Sequence, residues 1–115
     1  MSVTIYHNPR CSKSRETLKL LEDKGITPEV VLYLQDAPDA ATIKDLVAKL
    51  GLSSARDLMR TKEAVYKDLG LKEVSDEAAL IRAMAENPVL IERPIVLKDG
   101  KARLGRPPES VLEIL

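Results

Sequence analysis

Two short strand-like runs separated by a single amphipathic helix open this chain, and no other feature limits its possible folds as much. Val3-Thr4-Ile5-Tyr6 reads as a short buried strand. A helix is expected from Cys11 or Ser12 to Lys24, with Ser14, Leu18 and Leu21 on one face and Gly25 as its stop. Glu29 to Tyr33 is β-branched and reads as a second strand. Strand, helix and strand in that order form a βαβ unit, whose crossover favours a parallel pair.

Helical patterns fill the middle of the chain. Asp39 suits an N-cap, and Ile43, Leu46, Val47 and Leu50 follow at helical spacing before Gly51. Ser53 or Ser54 could cap a short helix through Ala55, Leu58 and Met59. Glu63 to Leu69 predicts a turn or two, ended by Gly70. Ser75 is expected to start a further helix through Leu80, Ile81 and Met84, stopped by Asn87-Pro88. Two apolar runs then flank Asp99-Gly100, a strong hairpin signal. Gly105-Arg106-Pro107-Pro108 breaks the second of these strands. A final helix from Glu109 to Leu115 is expected to turn Val111, Leu112 and Leu115 inward.

This is the element order of an α/β, thioredoxin-like fold with a helical insertion between the N-terminal βαβ unit and the C-terminal hairpin plus helix. The expectation is a single domain, residues 1–115, with the insertion at about 39–87. In thioredoxin-like proteins a cis-proline precedes the hairpin strand beside the active-site cysteine. The same resemblance predicts a cis Arg93–Pro94 bond here.

Formal net charge is zero and charged residues are spread along the chain, so neither nucleic acid nor an anionic membrane is expected as partner. No apolar run approaches the roughly 20 residues that span a bilayer. The start of the chain has no basic n-region or apolar h-region, so a cytoplasmic protein is expected; a monomer is expected as well. With one cysteine, the chain has no internal disulfide, no thiol-based zinc cluster and no dithiol redox pair, and no metal site is expected.

That cysteine, Cys11, follows the first strand and precedes the first helix, and the sole histidine, His7, lies four residues before it. A thiol at a helix N-terminus meets free backbone N–H groups and the positive end of the helix dipole. Both favour a thiolate nucleophile. The same loop could hold a tetrahedral oxyanion. His7 could pair with or orient the thiolate, or could be a capping or core residue. Ser14 occupies the position of the second thiol in a C-x-x-C motif, either as a hydroxyl donor to the thiolate or as an ordinary helix-face serine. Arg60, Arg93 and Arg106 stand out among the arginines by setting, and in a thioredoxin-like frame Arg93 and Arg106 can point back to the first loop. A guanidinium fork suits tetrahedral oxyanions. Lys13 is open between an anion-facing and a solvated charge, and Arg15 is expected to be solvated.

The loop from His7 to Arg15 resembles the active-site loop of the glutaredoxin-dependent arsenate reductase family. So do Leu58-Met59-Arg60, Tyr66-Lys67-Asp68-Leu69-Gly70-Leu71, the run from Asn87 through Arg93-Pro94 to Val96, and Arg103-Leu104-Gly105-Arg106-Pro107, in the family's order and spacing. The resemblance implies that Cys11 is the arsenate-attacking thiolate and that His7 is the histidine near it. It implies that Arg60, Arg93 and Arg106 hold the oxyanion. Arg10 stands where well-studied members have a small residue, and Ser12-Lys13 where they have Gly-Thr. With an end at Leu115, these features match a shorter, arsenate reductase-related subgroup.

The implied activity is reduction of arsenate to arsenite through an arsenylated cysteine, with no bound cofactor. Glutathione is implied as co-substrate and glutaredoxin as partner. One cysteine cannot supply both electrons, so external thiols must close the cycle. A phosphatase-like C-x5-R would need arginine at position 17, where Thr17 stands. A related monothiol oxidoreductase with another substrate, and a non-enzymatic Spx-type regulator, are the alternatives.

Overall fold

The computed structural model describes residues 2–115 and divides the chain into two compact units. One is the chain up to Asp36 together with Arg93–Leu115; the other is Ala37–Glu92. The first holds the sheet. Strand β1 (Val3–Tyr6) leads to helix α1 (Ser12–Asp23) and strand β2 (Glu29–Val31); the C-terminal part adds β3 (Ile95–Lys98) and β4 (Lys101–Leu104). The strand order is β2-β1-β3-β4. β1 and β2 are parallel, with Ile5 opposite Val30, while β1–β3 and β3–β4 are antiparallel, with Ile5 opposite Val96 and Val96 opposite Arg103. The mixed four-stranded α/β architecture is the thioredoxin-like one expected from the element order.

Alternation along β1 turns Val3 and Ile5 to one face, where they pack with Leu21 of α1, Val96 of β3, and Val111 and Ile114. α1 buries Ser14, Thr17 and Leu21, whereas Leu18 is only half-buried. Thr17 tolerates burial because its hydroxyl donates to the Lys13 carbonyl at 2.8 Å. The helix closes as a Schellman motif. Gly25 takes φ of 78°, its N–H reaches the Glu22 carbonyl, and the Ile26 N–H reaches that of Leu21. At the hairpin, Asp99 and Gly100 both have positive φ, 53° and 78°, as a two-residue turn matching the strand twist requires.

The C-terminal segment departs from expectation. It is a 3₁₀ helix, Pro108–Ile114, rather than an α-helix. A repeat of three residues puts Pro108, Val111 and Ile114 on one buried face, leaving Leu112 exposed and Leu115 half-buried. Strand β2 is also shorter than the expected 29–33. The N–H groups of Gln35 and Asp36 both return to the Leu32 carbonyl, so the chain is turning by Leu32.

The second unit is helical and lies, in sequence, between the βαβ segment and the hairpin. Helix α2 (Ala40–Lys49) is capped by Asp39, whose carboxylate accepts the Thr42 N–H at 2.8 Å. A 3₁₀ turn (Ala55–Leu58), α3 (Ala64–Asp68), a second 3₁₀ turn (Leu71–Glu73), α4 (Glu77–Glu86) and a third 3₁₀ turn (Pro88–Leu90) follow. The cap of α4 is Asp76, not Ser75. Ile43 and Leu46 of α2, and Leu80 and Met84 of α4, are buried. No helix among the described residues is long and apolar enough to cross a membrane.

Candidate active site

Asn8 to Cys11 form a tight turn at the end of β1. The Cys11 N–H donates to the Asn8 carbonyl, and the Asn8 side chain accepts the Arg10 N–H, both at 3.0 Å. The turn delivers Cys11 as the N-cap of α1 with extended backbone, φ −93° and ψ 124°. Its side chain therefore sits where a serine or aspartate would accept the first free N–H groups of the helix.

Partial burial pushes the Cys11 thiol up, but it is outweighed. The Ser14 N–H, the Arg93 guanidinium (by hydrogen bond and by charge) and the Lys13 N–H favour the thiolate and hold the pKa below the usual thiol range. Arg106 adds a second guanidinium, its Nη2 at 3.7 Å from Cys11 Sγ. Its Nε donates to the Arg93 carbonyl at 2.9 Å, so one arginine's backbone orients the other's fork. The Arg93–Pro94 bond is cis, as expected, and so is Arg106–Pro107, for which the sequence held no sign.

His7 and Ser14 are buried beside this loop but face each other. His7 Nδ1 lies 2.6 Å from Ser14 Oγ, which also accepts the Asn8 N–H at 3.0 Å. The hydroxyl thus ties the loop to α1, and it is the Ser14 backbone N–H that bears on the thiol. Burial lowers the His7 pKa, and the nearby Arg15 charge lowers it further; both favour the neutral imidazole. Arg15 donates to the Pro9 carbonyl, and Lys13 pairs with Glu16 on an exposed face.

Arg60 lies in the other unit. Its segment is pinned by an antiparallel bridge between Met59 and Ile91, with the Arg60 N–H on the Leu90 carbonyl and the Glu92 N–H on that of Leu58. The guanidinium reaches Glu92 at 2.9 Å and Glu63 at 3.6 Å.

Neither Gly105, a strand breaker by sequence, nor Thr17 stands out in the sequence as a residue that shapes the site. A Cβ on Gly105 would fall 2.5 Å from Thr17 Oγ1 and 2.7 Å from Pro94 Cγ. Its N–H donates to the Pro94 carbonyl. The end of β4 therefore passes close against Pro94 and α1, which sets the backbone just before Arg106. A glycine followed directly by an arginine of interest was the available signal.

The model of the ArsC family matches residues 6–114 of this sequence. The chain belongs to the ArsC family. It is 64% identical to the uncharacterized protein YfgD of Escherichia coli K12, over 98% of this chain and 96% of that protein. It is 54% identical to the arsenate reductase of Neisseria meningitidis, over 98% of this chain and 97% of that protein. Among solved structures, the arsenate reductase from Vibrio cholerae superposes with a TM-score of 0.98 at 58% identity, covering 100% of this chain and 98% of that one. The ArsC-family match spans both the loop that carries Cys11 and the segments that carry Arg60, Arg93 and Arg106.

Proposed function

We propose that this chain reduces arsenate to arsenite, with Cys11 as nucleophile and glutathione and glutaredoxin as the source of electrons. One observation carries the reading. The only thiol belongs to the N-cap residue of α1 and has two guanidinium groups, those of Arg93 and Arg106, on its sulfur. Helix N–H groups and paired guanidinium forks suit a tetrahedral oxyanion, and they stabilise charge on its oxygens as sulfur attacks. Arg60 enters as a third oxyanion ligand on sequence resemblance alone.

The Cys11 thiolate attacks arsenic, an S–As bond forms, and one arsenate oxygen leaves as water after taking up protons. A glutathione thiol then attacks the Cys11 sulfur. An S–S bond forms and the S–As bond breaks with its electron pair remaining on arsenic, which becomes As(III). The products are arsenite and a mixed disulfide on Cys11. Glutaredoxin takes the glutathionyl group by thiol–disulfide exchange and frees Cys11. Per turnover, arsenate and two thiols give arsenite, one disulfide and water. Such chemistry fits the reducing cytosol. In this scheme the neutral His7 and Ser14 hold the loop that presents the thiol.

The test is arsenate-dependent NADPH oxidation coupled through glutathione, glutaredoxin and glutathione reductase. Turnover is expected in the wild type and should vanish in Cys11→Ser. Absence of turnover in the wild type would refute the arsenate reading and leave a related thiol protein with another substrate or partner.

A further inference from the structure

Beside the Cys11 turn lies a pocket of about 230 Å³ that the oxyanion chemistry leaves unused, lined by His7, Asn8, Pro9, Arg10, Leu32, Leu34 and Gln35. Its apolar wall is formed by Leu32 and Leu34, which are 37% and 42% exposed. They follow β2, an edge strand with β1 as its neighbour. The opposite wall is the turn itself. Pro9 and Arg10 are its two central residues and Cys11 its last, so the lining ends at the residue before Cys11, which does not itself line the pocket. The Arg10 guanidinium is exposed and carries no ion pair among the described residues. Arg15, held on the Pro9 carbonyl, adds a second positive charge at this turn. Asp36, the acid of this segment, does not line the pocket.

We infer that this pocket is the docking site of a small, carboxylate-bearing peptide thiol, the co-substrate that attacks the Cys11 sulfur. The inference rests on the reading above, in which a single-cysteine chain must receive external thiols. The occupant follows from the chemistry of the walls. Arg10 takes a carboxylate, Gln35 offers an amide donor and acceptor for a peptide unit, and Pro9, Leu32 and Leu34 cover its aliphatic part. The volume is below the roughly 300 Å³ at which drug-sized sites begin, so it holds one arm of a tripeptide thiol rather than the whole molecule. The rest then extends along the turn toward Cys11.

The probe reaction is disulfide exchange, which needs no arsenate. The Cys11 thiolate attacks a disulfide, a mixed disulfide forms on Cys11, and the other half leaves as a thiolate. Rates are followed by mass spectrometry with oxidised glutathione, uncharged 2-hydroxyethyl disulfide and cationic cystamine. The ratio between probes cancels any change in thiol reactivity. Arg10→Glu should lower the oxidised-glutathione rate, relative to the uncharged probe, by about two- to fivefold, the upper figure being the ceiling for an exposed ion pair. It should also raise the relative rate with cystamine. Leu34→Glu should act in the same direction from the other wall. Both residues are exposed, so folding is spared. Ratios unchanged within about twofold in both variants would overturn the inference, since the contact would then fall below about 0.4 kcal/mol, too little to select the co-substrate. If the ratios shift but wild type lacks arsenate turnover, the peptide-thiol site stands and the arsenate reading falls. If turnover is present with unchanged ratios, the arsenate reading stands and this inference falls.

Discussion

Gly105→Ala is the sharpest probe of how the active-site loop is built. The added methyl would sit 2.5 Å from Thr17 Oγ1, 2.7 Å from Pro94 Cγ and 3.1 Å from Thr17 Cγ2. Carbon contacts are comfortable at about 3.5–4 Å, so the neighbours must retreat by roughly 1 Å. Neither can do so freely. Thr17 is fully buried with its hydroxyl bound to the Lys13 carbonyl, and the Pro94 ring is buried and stiff. Overpacking of this kind costs about 1–3 kcal/mol, and two blocked directions place this case near the top of that range. Urea unfolding followed by circular dichroism should show a lower midpoint at unchanged slope. Thr17→Ala in the Gly105→Ala background should recover part of the loss, because it removes two of the three clashing atoms. The pair then shows a coupling energy of about 0.5–3 kcal/mol, as contacting residues do. A Gly105→Ala stability within about 0.5 kcal/mol of wild type, the range of an ordinary surface change, would refute the close-approach argument. So would strict additivity with Thr17→Ala.

Three further outcomes are expected. Arg93→Ala should raise the Cys11 pKa, seen as an upward shift in the pH profile of iodoacetamide alkylation, because a hydrogen bond and a charge favouring the thiolate are lost. An unmoved profile would remove Arg93 from the thiol's environment. Ser14→Ala should cost about 1–3 kcal/mol, since the buried His7 Nδ1 and Asn8 N–H lose their shared partner. It should shift the alkylation profile less than Arg93→Ala, because the Ser14 N–H is retained. His7 has a lowered pKa in the folded chain, so the unfolded chain binds more protons once pH falls below the usual histidine value of 6.5. Unfolding free energy should therefore be flat in this respect above that pH and fall as pH drops below it. With a single histidine in the chain, His7→Gln should flatten the slope between pH 7 and the carboxylate range, where lowered Asp39 and Glu77 contribute their own loss at more acid pH. An equal slope in both proteins would show that His7 is not the group responsible.

Element boundaries were legible wherever the signal was local. Asp39 ahead of α2, Gly25 and Gly51 after their helices, and Asp99-Gly100 at the hairpin each act through a handful of neighbouring backbone groups. Cys11 at a helix N-terminus was legible for the same reason, and the family resemblance marked Arg93 and Arg106 before any geometry was known. Where the C-terminal segment was misread, the helical period was at fault. Val111 and Ile114 fit a repeat of three as well as an α-helical face, and packing against Val3, Ile5 and Leu21 selected the tighter one.

What sequence alone determined was the order of elements and that a lone cysteine, Cys11, stands at the start of α1. Each follows from short-range backbone chemistry or from a count of cysteines. Only the tertiary structure decided which groups meet. Arg106 reaches Cys11 across 95 residues of chain, through the pairing of β1 with β3 and β3 with β4. The Ser14 hydroxyl went to His7 rather than to the thiol, and Thr17 and Pro94 leave no room for a side chain at Gly105. Such contacts depend on strand register and on which buried polar atoms must satisfy one another, and neither is written in any local run of residues.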